Sequence, residues 1–352
     1  MPDNPNPTDN PRIESPGPSV AAPTNASLAK PRGTLANVFV GEQGLRFIWG
    51  VLLFVALFLL LLTGVELALG KFIPPRPPDP TPPKLALLLE SSELLVILFA
   101  TWLMALIEKR PFSVYGYRAP DKFTRLITGA LWGFACLSLL VGLLWRTGFL
   151  VFDGQALHGL DIWKYGLIWA LLFLIVGLSE ESLLRGYLQY TLTRGLGFWW
   201  AAVLLSIAFG LLHFGNTGES WLGLLSVMTG GFVFCLSLWY TKSLWWAIGF
   251  HAGWDWAQSY FYGTADSGLH MQGHLFAEHA AGKPLWSGGT VGPEGSLLQF
   301  PLLLLLILGM GLWWGRQSRY TNAPTAQSPE SGSFVEPLPP TERAGSAPTL
   351  ST

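Results

Sequence analysis

The sequence predicts an all-α membrane protein, a polytopic bundle of about eight transmembrane helices between two disordered tails. Three observations carry that prediction. Hydrophobic residues make up 50% of the 352, and charged residues only 12%, against about 25% in an ordinary soluble domain. Mean hydropathy is +0.40. The apolar residues also run continuously over bilayer-spanning lengths instead of alternating every second position, which argues against a barrel. A soluble fold of this size needs far more charge on its surface. A cytosolic enzyme, a disordered chain and a disulfide scaffold are therefore excluded. With a net charge of −1 there is no basic face to neutralise phosphates, which excludes nucleic acid as a partner.

Residues 1–43 are rich in Pro, Asn, Ser and Thr and have no apolar period, so they read as a disordered cytoplasmic tail. The membrane bundle occupies 44–315, with spans near 47–65, 85–107, 126–144, 167–188, 199–214, 222–239, 244–261 and 297–314. A Pro-rich, extended connection is expected at 74–84, and a long Gly- and His-containing one at 263–296. Residues 316–352 are again polar and Pro/Ser-rich, a second disordered cytoplasmic tail. Lys109, Arg110, Arg118, Lys122 and Arg125 crowd one connection, and the distribution of Lys and Arg places both termini in the cytoplasm of a multi-pass inner-membrane protein. Cys136 and Cys235 lie inside apolar runs and read as small buried hydrophobes.

Ionisable groups in hydrocarbon are costly unless paired or solvated, so each is a functional candidate. In the fourth span, Glu180 and Glu181 precede Arg185. Glu181 and Arg185 are four apart and share a helix face, so they can pair. Glu180 is rotated by about 100° from Glu181 and faces elsewhere. A desolvated carboxylate without a cation has the character of a general base or acid. The plain alternative is a span end whose charges snorkel to water. His213 closes the fifth span, where a helix-terminal His is more often a polar cap than a catalyst. His251 and Asp255, four apart in the seventh span, can hydrogen-bond each other or converge on one water or metal. Together, a carboxylate, two imidazoles and another oxygen group suit activation of water against a carbonyl. A transporter would instead show paired repeats and broken helices, and neither is evident.

In order, EExxxR at Glu180–Arg185, FxxxH at Phe209–His213 and HxxxD at His251–Asp255 resemble the CPBP family of intramembrane proteases. This family is also named for CAAX proteases, bacteriocin processing and Abi proteins. The resemblance covers about 126–261, and a Gly-rich stretch with Glu294 before the last span adds to it. It implies an intramembrane endopeptidase, like the CAAX prenyl proteases, acting on a membrane-associated protein or peptide that in eukaryotic relatives is lipid-modified. It also implies that Glu180 activates water, that His213 helps hold it, and that His251 and Asp255 stabilise the oxyanion. Glu181 and Arg185 would then form an orienting pair. Asp255 departs from the Asn of relatives. An ionised Asp cannot donate to an oxyanion, so it is protonated, orients His251 or ligates a metal.

Two cofactor readings stay open, zinc held by His213, His251 and a carboxylate, or no cofactor and a glutamate-dependent route, which is preferred. The functional alternative is a non-catalytic membrane scaffold or immunity protein of the same family. Outside the motifs, His270, His274 and His279 read as scattered surface histidines. Glu90 and Glu93, three apart, either line a route to the site or sit at the outer interface. Trp199, Trp200, Trp245, Trp246, Trp313 and Trp314 read as an interfacial belt.

Overall fold

A computed structural model describes residues 38–41, 44–70, 80–216 and 218–315. Both predicted tails, apart from residues 38–41, and most of the Pro-rich connection therefore lie outside the described residues. Val40–Gly41 (β1) and Gly44–Leu45 (β2) form a minimal antiparallel pair just before the first helix.

The bundle is built from α1 (Phe47–Leu69), α2 (Pro83–Glu108), α3 (Lys122–Thr147) and α4 (Leu160–Glu181), followed by α5 (Gln189–Leu196), α6 (Phe198–Leu212), α7 (Trp221–Thr241) and α8 (Trp245–Asp255). A single turn, Pro284–Ser287, precedes α9 (Gln299–Trp314). Local chemistry sets several ends. Proline at its first position starts α2, Ser220 accepts from the Gly223 N–H to cap α7, and left-handed Gly148 stops α3.

Six helices are long and apolar enough to cross a membrane: Phe47–Leu69, Pro83–Glu108, Lys122–Thr147, Leu160–Leu196, Phe198–Gly215 and Trp221–Thr241. The protein is thus an all-α integral membrane bundle. The fourth of these is much longer than the 167–188 read from hydropathy, because helix continues through a kink into polar residues. The seventh and eighth expected spans are also helical, as α8 with its continuation to Tyr262 and as the 16-residue α9.

Contacts among the connections sort the helix ends onto two faces. On one face β3 (Leu150–Gln155) pairs antiparallel with β4 (Phe276–Ala280), Thr81 bridges Met271, and Thr290 Oγ1 donates to the Gly218 carbonyl at 2.9 Å. This small sheet ties the α3–α4 connection to the one before α9, and hydropathy gave no sign of it. On the other face the Leu244 N–H donates to Gly116 O at 2.9 Å, and Arg125 Nη1 donates to Thr241 O. Trp314 at the end of α9 meets Trp246 edge-on at 5.3 Å. Trp246 is buried, so it belongs to the packed interior and not to an interfacial belt. Trp200 and Trp313 are exposed as a belt requires.

Glycine pairs set the closest helix crossing. Gly129 and Gly133 of α3 face Gly249 and Gly253 of α8, and each lacks room for a side chain. A Cβ at Gly133 would stand 2.8 Å from Trp254 N, and one at Gly253 2.7 Å from Ala130 Cα. Small residues four apart let membrane helices approach to backbone contact. On its other side α8 meets α4 at Gly177, where a Cβ would lie 2.9 Å from Ile248 O. Held between α3 and α4, α8 has little freedom to turn.

Candidate active site

The carboxylates of the fourth span sit where its helix changes type. After Glu181 the chain continues as a π-helical segment, Ser182–Leu188, with Gly186 out of helical geometry (φ −79°, ψ −112°), and α5 then resumes. The seventh rod repeats this device, since α8 ends at Asp255 and Trp256–Tyr262 is π-helical. π-Turns are rare, re-aim side chains and occur often at functional sites. Glu180 and Glu181 on one rod, and His251 and Asp255 on the other, thus occupy the last α-helical turns before such a segment, and Arg185 lies within it.

Glu181 and Arg185 form the expected pair, Nη1 to Oε1 at 3.0 Å, with both side chains wholly buried. The guanidinium lies over two rings, with Cζ at 4.5 Å from the Phe209 centroid and 5.3 Å from that of Phe234. Gly231 leaves space for it, since a Cβ there would stand 2.7 Å from Nη2.

His251 gathers the remaining acids. Its Nε2 lies 3.5 Å from Glu180 Oε2 and 3.4 Å from Asp255 Oδ2, while its Nδ1 lies 3.4 Å from Glu181 Oε1. The imidazole, brought in by α8, stands where carboxylates about 100° apart on one helix reach its two different nitrogens. These separations are longer than direct hydrogen bonds, so the groups share one electrostatic cluster without being locked to one another. His251 and Asp255 are buried, while the Glu180 side chain keeps 29% exposure, the most open of the set.

His213 sits at the end of α6. Its Nδ1 is 2.9 Å from the Phe209 carbonyl, which can only accept, so Nδ1 carries the proton and, in the neutral ring, Nε2 carries the lone pair. Among the described residues His213 makes no ion-pair contact with Glu180. Phe209 touches both imidazoles edge-on, at 5.0 Å for His213 and 6.0 Å for His251.

Two further groups of acids approach the cluster. Glu90 interacts electrostatically with Glu180 and Asp255, and Glu93 with Glu180, which places both glutamates of α2 toward the site. Glu294, in the connection before α9, accepts from Trp254 Nε1 at 3.1 Å and from Ser267 Oγ at 2.9 Å. It thereby fastens that connection to the residue beside Asp255. Ser267 and Trp254 carry no motif, and sequence reasoning passed over them.

The zinc reading asks His213 and His251 to converge. Phe209 touches both rings, and no group of three or more His, Cys, Asp or Glu among the described residues is arranged to hold a metal ion. His270, His274 and His279 form no such group either. His274 Nδ1 instead lies 3.3 Å from Met271 O, and His279 Nδ1 lies 2.9 Å from Asp153 Oδ2 on the small sheet.

No curated protein and no solved structure matches the chain. Residues 162–257 match the family model described as Rce1-like, type II CAAX prenyl endopeptidase. That stretch runs from the start of α4 to just beyond α8, and so holds Glu180, Glu181, Arg185, His213, His251 and Asp255. Over these residues the chain is similar to that family, in agreement with the CPBP, or CAAX protease, family that its three motifs resemble.

Proposed function

We propose that this protein is an intramembrane endopeptidase that hydrolyses a peptide bond of a membrane-associated protein or peptide, with Glu180 as the residue that activates water. The observation that supports this most is the placement of Glu180. It is the partly exposed carboxylate of the cluster, 3.5 Å from His251 Nε2, and among the described residues no Lys or Arg pairs with it, whereas Glu181 is committed to Arg185. A base needs a lone pair within reach of water, and a stabilising group needs a fixed donor nearby.

In this reading Glu180 takes a proton from water as the oxygen attacks the scissile carbonyl, and then delivers it to the leaving amine. His213 Nε2 accepts a hydrogen bond from the same water. His251, with carboxylate oxygens facing both ring nitrogens, acts as the donor to the developing oxyanion. Asp255, 3.4 Å from His251 Nε2, orients that ring, which explains how an Asp serves where relatives carry Asn. Glu181 and Arg185 hold the helix turn that presents Glu180. The face holding Lys109–Arg125, the start of α1 and the end of α9 is the cytoplasmic one, with eight crossings of the inner membrane and both termini in the cytoplasm. The substrate class extends to lipid-modified proteins.

The test uses purified protein in nanodiscs, with peptide substrates found by comparing membrane-protein termini in cells carrying wild type or Glu180→Ala. Glu180→Ala should lose cleavage by about 10²–10⁴-fold, Asp255→Asn should keep measurable cleavage, and a strong chelator should leave the wild type active. Equal cleavage by wild type and Glu180→Ala would reject the assignment. A deletion phenotype that Glu180→Ala fully complements would favour the scaffold.

A further inference from the structure

We infer that Phe234 is a positioning residue for His251, holding the plane of its imidazole so that both ring nitrogens stay aimed at the surrounding carboxylates; this rests on the peptidase reading only for its kinetic consequence. Phe234 lies on α7, which contributes no motif residue to the site. It is buried, and its ring stacks on the His251 imidazole with centroids 5.1 Å apart and planes 21° from parallel. That is an offset-stacked arrangement of the kind aromatic pairs favour. The same ring receives the Arg185 guanidinium, Cζ at 5.3 Å, and meets Phe209 at 6.3 Å and 60°. One side chain therefore contacts a member of each of the three motifs: Arg185, Phe209 and His251.

The torsion that turns an imidazole about its Cβ–Cγ bond is broad and roughly two-fold. Contacts of 3.4–3.5 Å to carboxylates are too long to hold it in one orientation. A flat wall against the ring face does so, because rotation drives the imidazole edge into the phenyl ring. With Phe234 in place, Nδ1 faces Glu181 while Nε2 faces Glu180 and Asp255. Tilted out of that plane, the ring would no longer aim Nε2 at the place where the reaction needs a donor. Phe209 touches His251 edge-on and cannot supply the same restraint.

The experiment compares Phe234→Leu, Phe234→Tyr and Phe232→Leu in nanodiscs. Phe232 lies on the same helix and meets Trp199 at 6.3 Å, so its variant controls for loss of an α7 aromatic away from the site. Nitrogen NMR of histidine-labelled protein reads the six His rings directly, with the His251 signals assigned by His251→Ala. Phe234→Leu should broaden or split the His251 nitrogen signals, whereas Phe234→Tyr and Phe232→Leu should leave them as in wild type. In the cleavage assay Phe234→Leu should lower kcat about a hundredfold with KM changed less than about twofold, and Phe234→Tyr should restore most of it. Unchanged His251 signals in Phe234→Leu would overturn the inference, as would equal changes in Phe232→Leu. Altered signals with undiminished cleavage would keep the positioning role and reject the kinetic consequence, and with it His251 as the oxyanion donor; no cleavage by the wild type would reject the peptidase reading alone. If Phe234→Leu does not fold, altered His251 signals in folded Phe234→Tyr would overturn the proposal, and wild-type signals there with full kcat would uphold it.

Discussion

Glu181 Oε1 stands between two nitrogens, Arg185 Nη1 at 3.0 Å and His251 Nδ1 at 3.4 Å. An ion pair wholly buried in this way adds little over an apolar pair, yet removing one partner leaves an uncompensated charge. Arg185→Met is therefore expected to destabilise the bundle by about 3–5 kcal/mol, measured by reversible unfolding in mixed micelles. The double variant Glu181→Leu with Arg185→Met should regain most of that stability without regaining cleavage. Spacing alone was enough to pair these two residues, because positions four apart share a helix face. The contact of Glu181 with His251 was not legible, since it depends on where a helix some seventy residues later is set down.

At the scale of elements, the position of α8 depends on glycines whose value appears only in the packing. Gly253→Val would place a side chain against the Ala130 backbone and force α3 and α8 apart. The expected result is a loss of about 1–3 kcal/mol together with loss of cleavage, because His251 and Asp255 move with the helix. The same measurement on Gly142→Val, where the added Cβ meets nothing within 4 Å, should show little change. Hydropathy located the membrane-crossing rods of the bundle, since burial in lipid demands apolar runs, but not the polar continuation α5. It missed the kink after Glu181 and the π-helical turns after both motifs. Those depend on backbone hydrogen bonding that tertiary contacts select, and residue type does not announce them.

Across the whole molecule, the connections of one face are joined by the β3–β4 sheet, and this sheet carries two pH-sensitive groups, Glu278 and His279. Burial pushes the Glu278 carboxyl up to about 7 from 4.5, with His279 opposing and Asp153 adding to the rise. The hydrogen bond to Asp153 raises His279. A folded-state value above the unfolded one means that Glu278 stabilises the sheet fully below pH 4.5 and that this contribution is lost as pH rises through about 7. The His279 pair acts in the same sense, present below the ordinary histidine value and lost above its raised one. Amide exchange across β3 and β4, corrected for its intrinsic pH dependence, should therefore quicken from pH 5 to 8. Glu278→Gln should flatten the lower part of that rise.

The sequence by itself determined the membrane class, the helical rods and the identity of the candidate residues. Apolar run length and ionisable groups in hydrocarbon are properties of the chain before it folds. Only the tertiary structure decided that Glu180, Glu181 and Asp255 surround one imidazole, that Phe234 lies flat against it, and that Phe209 meets both His213 and His251 edge-on. Those relations join α4, α6, α7 and α8 through glycine-sized gaps and ring contacts. Such distances arise from packing between segments, and no local pattern in the chain encodes them.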